Sequence, residues 1–446
     1  MMQRSCQAII LAAGQGTRMK SSKPKVLHQV AHLPMVSHVA KAAINAGSQK
    51  ISLVVGPDMD PVLKAVRSIH KNVQSHQQIE RLGTAHAVLA AESDLGQPLD
   101  DVIILYGDTP LVESQTIASM RAALSNGADV VVLGFRAEKP DPYGRLLEEE
   151  GQLVAIREAK DASEDELKVD FCNAGIMAFS GKIILQLLKR IDNDNAQKEY
   201  YLTDAVELAN RSGLKVVAME AEEAEVQGVN SRLELARVEA TFQQRARLNA
   251  MTEGATLQDP ETVYFAHDTE IGRDVVIEQN VVFGPGVEVA DEATIRAFSH
   301  LEGAKVASHC VIGPYARLRP GADLREAAKV GNFCEVKKAV IDQGAKVNHL
   351  SYIGDAHVGA KANIGAGTIT CNYDGFNKSK TEIGAGAFIG SNSALVAPVI
   401  VEEGAIVGAG SVITKTVEAN SLTLTRAKQM ALSNWATKFR EKNSKG

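Results

Sequence analysis

"FAHDTEIGRDVVIEQNVVFGPGVEVADEATIRAFSHL", residues Phe265 to Leu301, carries an apolar side chain at every sixth position: Phe265, Ile271, Ile277, Phe283, Val289, Ile295 and Leu301. Neither the 3.6-residue period of a helix nor the two-residue alternation of a strand matches that spacing. After a one-residue slip the ladder resumes at Val306, Ile312, Leu318, Leu324, Val330 and Val336. It slips again to Ile341, Val347 and Ile353, then to Val358 and Ile364, and closes on Ile383, Ile389, Leu395, Val401, Val407 and Ile413. Such a hexapeptide repeat predicts a parallel β-helix, each unit forming one flat side of a prism with its aliphatic residue inward. Glycine often follows the inward residue, as at Ile312-Gly313 and Ile353-Gly354, and glycine and alanine are expected at the corners. Aromatic residues make up only 4% of the chain, as expected if a narrow prism has little room for rings. The ladder breaks between Ile364 and Ile383, at "GAGTITCNYDGFNKSKTE", where a protruding loop is expected.

Toward the N-terminus the pattern is different. Apolar runs at 7–14, 51–56, 101–108 and 129–135 alternate with stretches of helical spacing at 35–46, 61–71, 83–94 and 113–124. Strands without polar alternation, separated by helices, predict a mostly parallel sheet covered on both faces. Ligands bind such sheets at the carboxyl ends of the strands. Three of the runs end there in "GQGTR", "GPD" and "GDTP". Between the halves, "SRLELARVEATFQQRARLNAM" (231–251) has no Gly or Pro. It predicts one helix, about 30 Å long, joining two domains or packed on the first. Leu233, Leu235, Val238 and Phe242 could face either side.

A chain of 446 residues allows two or three cores at roughly 150 residues per domain. The net charge of −6 and the absence of a long basic block argue against nucleic acid or an anionic membrane as partner. Five scattered cysteines, never in a CxxC pair, argue against a disulfide framework or zinc site and fit a reducing cytoplasm. No stretch approaches the roughly 20 apolar residues of a membrane span.

The most informative N-terminal segment is "AIILAAGQGTRMKSSKPKVLH" (8–28). On its own "GQGTRM" reads as a plain strand-to-helix turn as readily as a phosphate cradle. It lacks the third glycine of a dinucleotide fingerprint and the Gly-Lys-Ser/Thr of a P-loop. Backbone amides at a glycine turn can hold phosphate oxygens, and Arg18 and Lys25 add charge that suits a polyphosphate. Asp108, closing a strand, is placed either to hold Mg²⁺ or to cap the next helix. In the second half, His349 of "KVNHLSYIGD" is the best candidate for a general base near neutral pH.

The text around Gly14 resembles the signature of sugar-phosphate nucleotidyltransferases, L-x-x-G-x-G-T-R-M followed by P-K. The hexapeptide half resembles the left-handed β-helix acyltransferases. Together, in this order, they resemble the bacterial bifunctional N-acetylglucosamine-1-phosphate uridyltransferases/glucosamine-1-phosphate acetyltransferases over essentially the whole chain. The resemblance implies a uridyltransferase domain at 1–229, a linker helix at 230–251, and a β-helix acetyltransferase domain with a tail at 252–446. It implies that Leu11, Ala12, Ala13, Gly14, Gln78, Gly83 and Thr84 meet the uridine nucleotide, and that Arg18 and Lys25 act on its phosphates. Tyr106, Gly107 and Asp108 would line the site, with Asp108 and Asn230 on Mg²⁺ and Gly144, Glu158 and Asn173 on the sugar. Ala174 stands where many relatives carry a hydroxyl residue.

For acetyl transfer the resemblance implies His349 as base and Arg319, Lys337, Tyr352 and Asn363 on the sugar phosphate. Ala366, Asn372, Tyr373, Ser391, Ala409 and Arg426 would hold acetyl-CoA. It further implies UTP as co-substrate, a homotrimer through the β-helix, and a cytoplasmic enzyme of small-molecule substrates. Two other readings stay open at this level: a nucleotidyltransferase whose solenoid only trimerises or regulates, and a non-catalytic nucleotide-binding scaffold.

Overall fold

The computed structural model describes residues 4–444, and the chain divides into two compact units, the first ending at Arg245 and the second beginning at Ala246. The first is built on a mixed sheet. Seven of its nine strands run in the order Val216–Glu220, Val130–Arg136, Phe171–Ser180, Asp101–Tyr106, Cys6–Leu11, Lys50–Val55 and Val73–Gln77, and the hairpin Arg145–Glu149 and Gln152–Arg157 joins Phe171–Ser180. Cys6–Leu11 pairs in parallel with Lys50–Val55 and Asp101–Tyr106, and Val73–Gln77 continues the parallel set. The central residues Ile9, Ile10, Ile103 and Ile104 are fully buried, as expected for strands covered on both faces. Each such side chain contributes about 1.5–3 kcal/mol by leaving water.

Phe171–Ser180 is antiparallel to both its neighbours. Its reversed direction has a consequence for the site. Asn173, near the start of that strand, pairs with Gly134 late in Val130–Arg136. It therefore arrives at the same sheet edge where the parallel strands end.

The helices fall close to their expected spans, with one division. The stretch 83–94 forms two short helices, Thr84–Leu89 and Glu92–Leu95, and the turn between them lets Val88, Ala91 and Leu95 reach one buried cluster. "GQGTRM" does not open an α-helix. Two 3-10 turns, Thr17–Met19 and Lys25–Leu27, follow the first strand, and the first α-helix begins at Met35.

The long helix spans Arg232–Thr252. On the first unit Val238 is buried with Met19, Val30, Met35 and Leu111, joined by Leu235 and Phe242, whereas Leu233 stays exposed. In the second unit Ala246 and Ala250 of its last turns pack against the prism core. A capping box starts the helix: Ser231 Oγ accepts the Glu234 N–H, and Glu234 Oε2 accepts the N–H groups of Asn230 and Ser231 at 2.6 and 2.8 Å.

The second unit is a parallel β-helix of very short strands. Glu270 pairs with Glu288 and Val276 with Thr294, so three hexapeptides make one coil. After each slip the partner lies one residue nearer, as for Val330 with Val347. At the break, Val358 pairs with Ile383 and Ile364 with Ile389, so one coil carries the extra residues. They form a small hairpin around Tyr373 and Lys378, with Asp374 Oδ1 accepting the N–H groups of Phe376 and Asn377.

Two expectations about the prism need correction. Rings do fit inside: Phe265 and Phe283 are buried and stacked at 5.2 Å, because residues one coil apart lie directly over each other. The corners are also not reserved for glycine and alanine. Phe298, Tyr315, Phe333 and Leu350 occupy successive left-handed positions, with φ from 51° to 60°. Phe298 stacks on Tyr315 at 4.8 Å and Tyr315 on Phe333 at 5.1 Å. A ring pair contributes about 0.5–1.5 kcal/mol, which offsets most of the roughly 1–2 kcal/mol left-handed penalty.

Candidate active sites

In the first unit the carboxyl ends of three parallel strands and the loops beyond them enclose a cavity of about 360 Å³. Leu11, Ala12, Ala13, Gly14, Lys25, Gln78, Gly83, Thr84, Tyr106 and Asp108 all line it, although they span nearly a hundred residues of sequence. Main-chain bonds set the geometry: the Gly107 N–H donates to Leu11 O at 2.9 Å and the Ala12 N–H to Val54 O at 2.7 Å. Gly16 has a reason beyond its φ of +60°. A Cβ there would sit 2.5 Å from Cβ of Lys25, so the second glycine of "GQG" makes room for the lysine.

Lys25 is the charged centre of this edge. Its ammonium pairs with Asp108 and donates to Asn230 Oδ1 at 3.0 Å. Asn230 is carried there by the Val229 N–H, which donates to the Asp108 carbonyl at 2.9 Å, and by the capping box just beyond. The helix after Asp108 begins only at Ser114, so Asp108 is not its cap. A carboxylate and an amide oxygen already gathered around one cation form a hard-oxygen donor set that fits Mg²⁺. Among the described residues no cluster of three or more His, Cys, Asp or Glu could hold a metal. Phosphate and water oxygens would therefore have to complete the shell.

Beside the cavity, Asn173 N–H donates to Gly144 O at 2.8 Å, and a Cβ on Gly144 would lie 3.4 Å from Glu158 Oε2. Glu158 accepts from the Thr203 hydroxyl at 3.3 Å. Burial pushes its carboxyl up, with Asp161 and Glu199 adding to the rise and Thr203 opposing it. Burial likewise holds the Tyr106 hydroxyl far above its ordinary value, reinforced by Glu158 and Asp108, so it stays a neutral donor. A Cβ on Gly175 would meet the Tyr106 ring at 2.8 Å, which ties the Asn173 strand to the cavity wall. Arg18 does not line the cavity; it lies exposed on the Thr17–Met19 turn.

Several neighbours carried no signal in the sequence. Leu202 N–H donates to Thr84 Oγ1 at 2.9 Å, and Tyr200 N–H to Leu82 O at 2.7 Å. The segment 199–204 thus straps the nucleotide-side loop to Glu158. Asp204, at its end, is raised to about 6, chiefly by burial and then by Asp192 and Glu207. Only the sheet's topology brings these residues together; neither periodicity nor a local motif marks them.

On the prism, His349 Nδ1 lies 2.8 Å from Asn332 Oδ1, its partner one coil earlier. An amide oxygen only accepts, so Nδ1 carries the proton and Nε2 keeps the lone pair that a base needs. His349 begins a column that climbs one coil at a time. Gly367 N–H donates to His349 O, Asn392 N–H to Ala366 O and Gly410 N–H to Ser391 O, and Arg426 Nη1 reaches Ala409 O at 2.9 Å. The sugar-phosphate candidates lie on neighbouring strands: Glu335 pairs with Tyr352 and Lys337 with Gly354, while Asn363 pairs with Lys346 of the His349 strand. Arg319 is engaged by Glu335 at 2.7 Å, a bond that raises the guanidinium's affinity for its proton. In the loop, Asn372 donates to Asp355 and the Tyr373 hydroxyl to Gly375 O.

A strand-end cavity on an open, mostly parallel sheet, followed by a hexapeptide prism, is the architecture of a nucleotidyltransferase joined to a hexapeptide acyltransferase. Family models agree: residues 8–170 match the MobA-like NTP transferase domain and residues 380–415 the bacterial transferase hexapeptide (six repeats). The chain is 57% identical to the bifunctional protein GlmU of Azorhizobium caulinodans, over 100% of this chain and 99% of that protein. It is 53% identical to that of Bartonella quintana over 98% of each chain, and 55% identical to that of Agrobacterium fabrum over 99% and 97%. The chain belongs to the bifunctional GlmU family, and is an enzyme that pairs a uridyltransferase with a hexapeptide acetyltransferase. None of the helices in the described residues is long and apolar enough to cross a membrane.

Proposed function

We propose that the second unit acetylates glucosamine-1-phosphate from acetyl-CoA, and that the first joins the resulting N-acetylglucosamine-1-phosphate to UTP, releasing pyrophosphate. The observation that carries the reading is the meeting of Asn230 with Lys25 and Asp108, two residues that line the strand-end cavity. There a phosphate oxygen of the sugar attacks the α-phosphorus in line, and the bond to the departing pyrophosphate breaks without a covalent enzyme intermediate. Lys25 and Arg18 neutralise the negative charge that builds on the phosphates. Gln78, Gly83 and Thr84 hold the base, with Leu11 to Gly14 along the nucleoside, and Tyr106 and Gly107 form the wall between nucleotide and sugar. Glu158, Asn173 and the Gly144 main chain orient the sugar. Asp108 and Asn230 would hold Mg²⁺, which supplies charge neutralisation on the phosphates when bound.

On the prism, Nε2 of His349 takes a proton from the sugar amine as its nitrogen attacks the thioester carbonyl. The C–S bond then breaks and coenzyme A leaves as the thiol, taking up a proton. Arg319, Lys337, Tyr352 and Asn363 hold the sugar phosphate. Ala366, Asn372, Tyr373, Ser391, Ala409 and Arg426 hold the acetyl donor. A cytoplasmic homotrimer through the prism belongs to the same reading. It is supported by the hexapeptide match and by the exposed Ile400, Ile406, Val412 and Leu422 on the last coils. The test is to assay the purified chain with each substrate pair, reading pyrophosphate and free thiol separately, before and after chelation. Chelation is expected to abolish pyrophosphate release and to leave thiol release within about twofold, since only the first chemistry needs a divalent ion. Loss of both, or of neither, sinks the proposal.

A further inference from the structure

Gln78 stands at the end of the strand Val73–Gln77, with its N–H donated to Val55 O at 2.9 Å, and is only 6% exposed. Its side-chain Nε2 has two neighbours, Gly83 O at 3.3 Å and His86 Nδ1 at 3.4 Å. A primary amide has two N–H donors, so this pair uses both. The opposite amide orientation would set Oε1 against the Gly83 carbonyl, two acceptors face to face. The carbonyl can therefore orient the amide only if it stays in place, and the structure holds it firmly. Gly83 has φ +114°, and its position leaves no room for a Cβ against the Tyr200 main chain.

We infer that His86 is a positioning residue that engages the second N–H of the Gln78 amide, which the Gly83 carbonyl already orients, so that only Oε1 is left to meet the base and the cavity selects uracil over cytosine. The inference rests on the proposed reading that Gln78 meets the base. The chemistry is simple. Uracil carries N3–H, a donor, whereas N3 of cytosine is an acceptor. An amide with both hydrogens committed to the protein offers only a carbonyl oxygen, which pairs with the first base and repels the second. For His86 to accept from Nε2 of Gln78, its own ring proton sits on Nε2. The ring is carried on the helix Thr84–Leu89, which the Gly83 carbonyl also joins through the Ala87 N–H at 3.1 Å. It lies beside Tyr200, ring centroids 6.5 Å apart. Loop, helix and histidine thus form one frame around a single amide.

The experiment compares UTP with CTP in kcat/KM for the full chain, N-acetylglucosamine-1-phosphate being the acceptor. His86→Phe keeps a ring and removes the acceptor; His86→Asn places an amide oxygen near the former Nδ1. His86→Phe is expected to lower the UTP/CTP ratio about tenfold or more, chiefly through KM for UTP, with kcat within about threefold. His86→Asn is expected to restore the ratio to within about threefold of the unsubstituted chain. If His86→Phe fails to fold, His86→Leu is read in the same way. An unchanged ratio in a folded His86→Phe or His86→Leu overturns the inference, as does equal loss in His86→Asn, which would mark a packing effect. Gln78→Ala separates the two levels. If it leaves the ratio unchanged, the reading of Gln78 as base contact falls and this inference with it. If it destroys the ratio while His86→Phe does not, only the role of His86 falls.

Discussion

The two units assemble their proposed sites by opposite means. The first gathers Gly14, Gln78, Asp108, Glu158 and Asn230, segments far apart in the chain, at one edge of an open sheet. The second stacks His349, Ala366, Ser391, Ala409 and Arg426 in a column, each contributed by the next coil of a repeat. An open sheet makes a concave, charged pocket whose members depend on many crossing connections. A prism makes a straight wall whose members depend on register alone. A single misplaced segment should therefore damage the first site broadly and the second only locally.

Exchanging the two chemistries gives the largest effect. Asp108→Ala is expected to lower pyrophosphate release by about a thousandfold or more and to spare thiol release; His349→Ala is expected to do the reverse. If either substitution in a folded chain abolishes both activities, the two sites are not independent. A backbone change sharpens the contrast. Gly83→Ala would bring Cβ to 2.5 Å from Tyr200 O at a φ of +114°, destabilising the first unit by about 2–4 kcal/mol. Calorimetry should show one thermal transition lowered and the other unmoved.

On the prism, Asn332→Ala removes the partner that fixes the His349 tautomer. The expected result is about a tenfold fall in the acetyl-transfer rate with unchanged uridylyl transfer. An acetyl-transfer rate within about twofold of that of the unsubstituted chain would show that Asn332 does not position His349 for the proposed reaction. The smallest effect concerns Asp204, raised to about 6 from an ordinary 3.8, chiefly by burial. Because the folded state binds this proton more tightly than the unfolded chain, stability falls as pH rises from about 4 to about 6. Asp204→Asn should therefore stabilise the first unit by about 1 kcal/mol at pH 7.5, with the gain vanishing near pH 4. A gain that persists at pH 4 would trace to something other than the carboxylate.

Much of this was legible beforehand because the signals were periodic or local. The six-residue ladder gave the prism, its slips and its one long coil, and the apolar runs gave the parallel strands. "GQGTRM" and "PK" pointed to the edge of the sheet where the cavity lies. What escaped was relational. Thr203, Asp204 and His86 sit in ordinary text and matter only for what they touch. Asn332 needed the coil register to be seen as the partner of His349. The ring-bearing corners escaped too, since a left-handed Phe298 is tolerable only once Tyr315 is known to lie above it.

That one half must coil, that the other must layer strands and helices, and which loops carry charge can all be read from the linear text. Hydrophobic period and glycine placement act over a few residues, so the linear text contains them. Which carboxylate Lys25 meets, what the Gln78 amide touches and that His349 Nδ1 faces Asn332 emerge only once the chain has folded. Hydrogen bonds and ion pairs act over about 3 Å, and only the folded chain brings residues such as Lys25 and Asn230 within that distance.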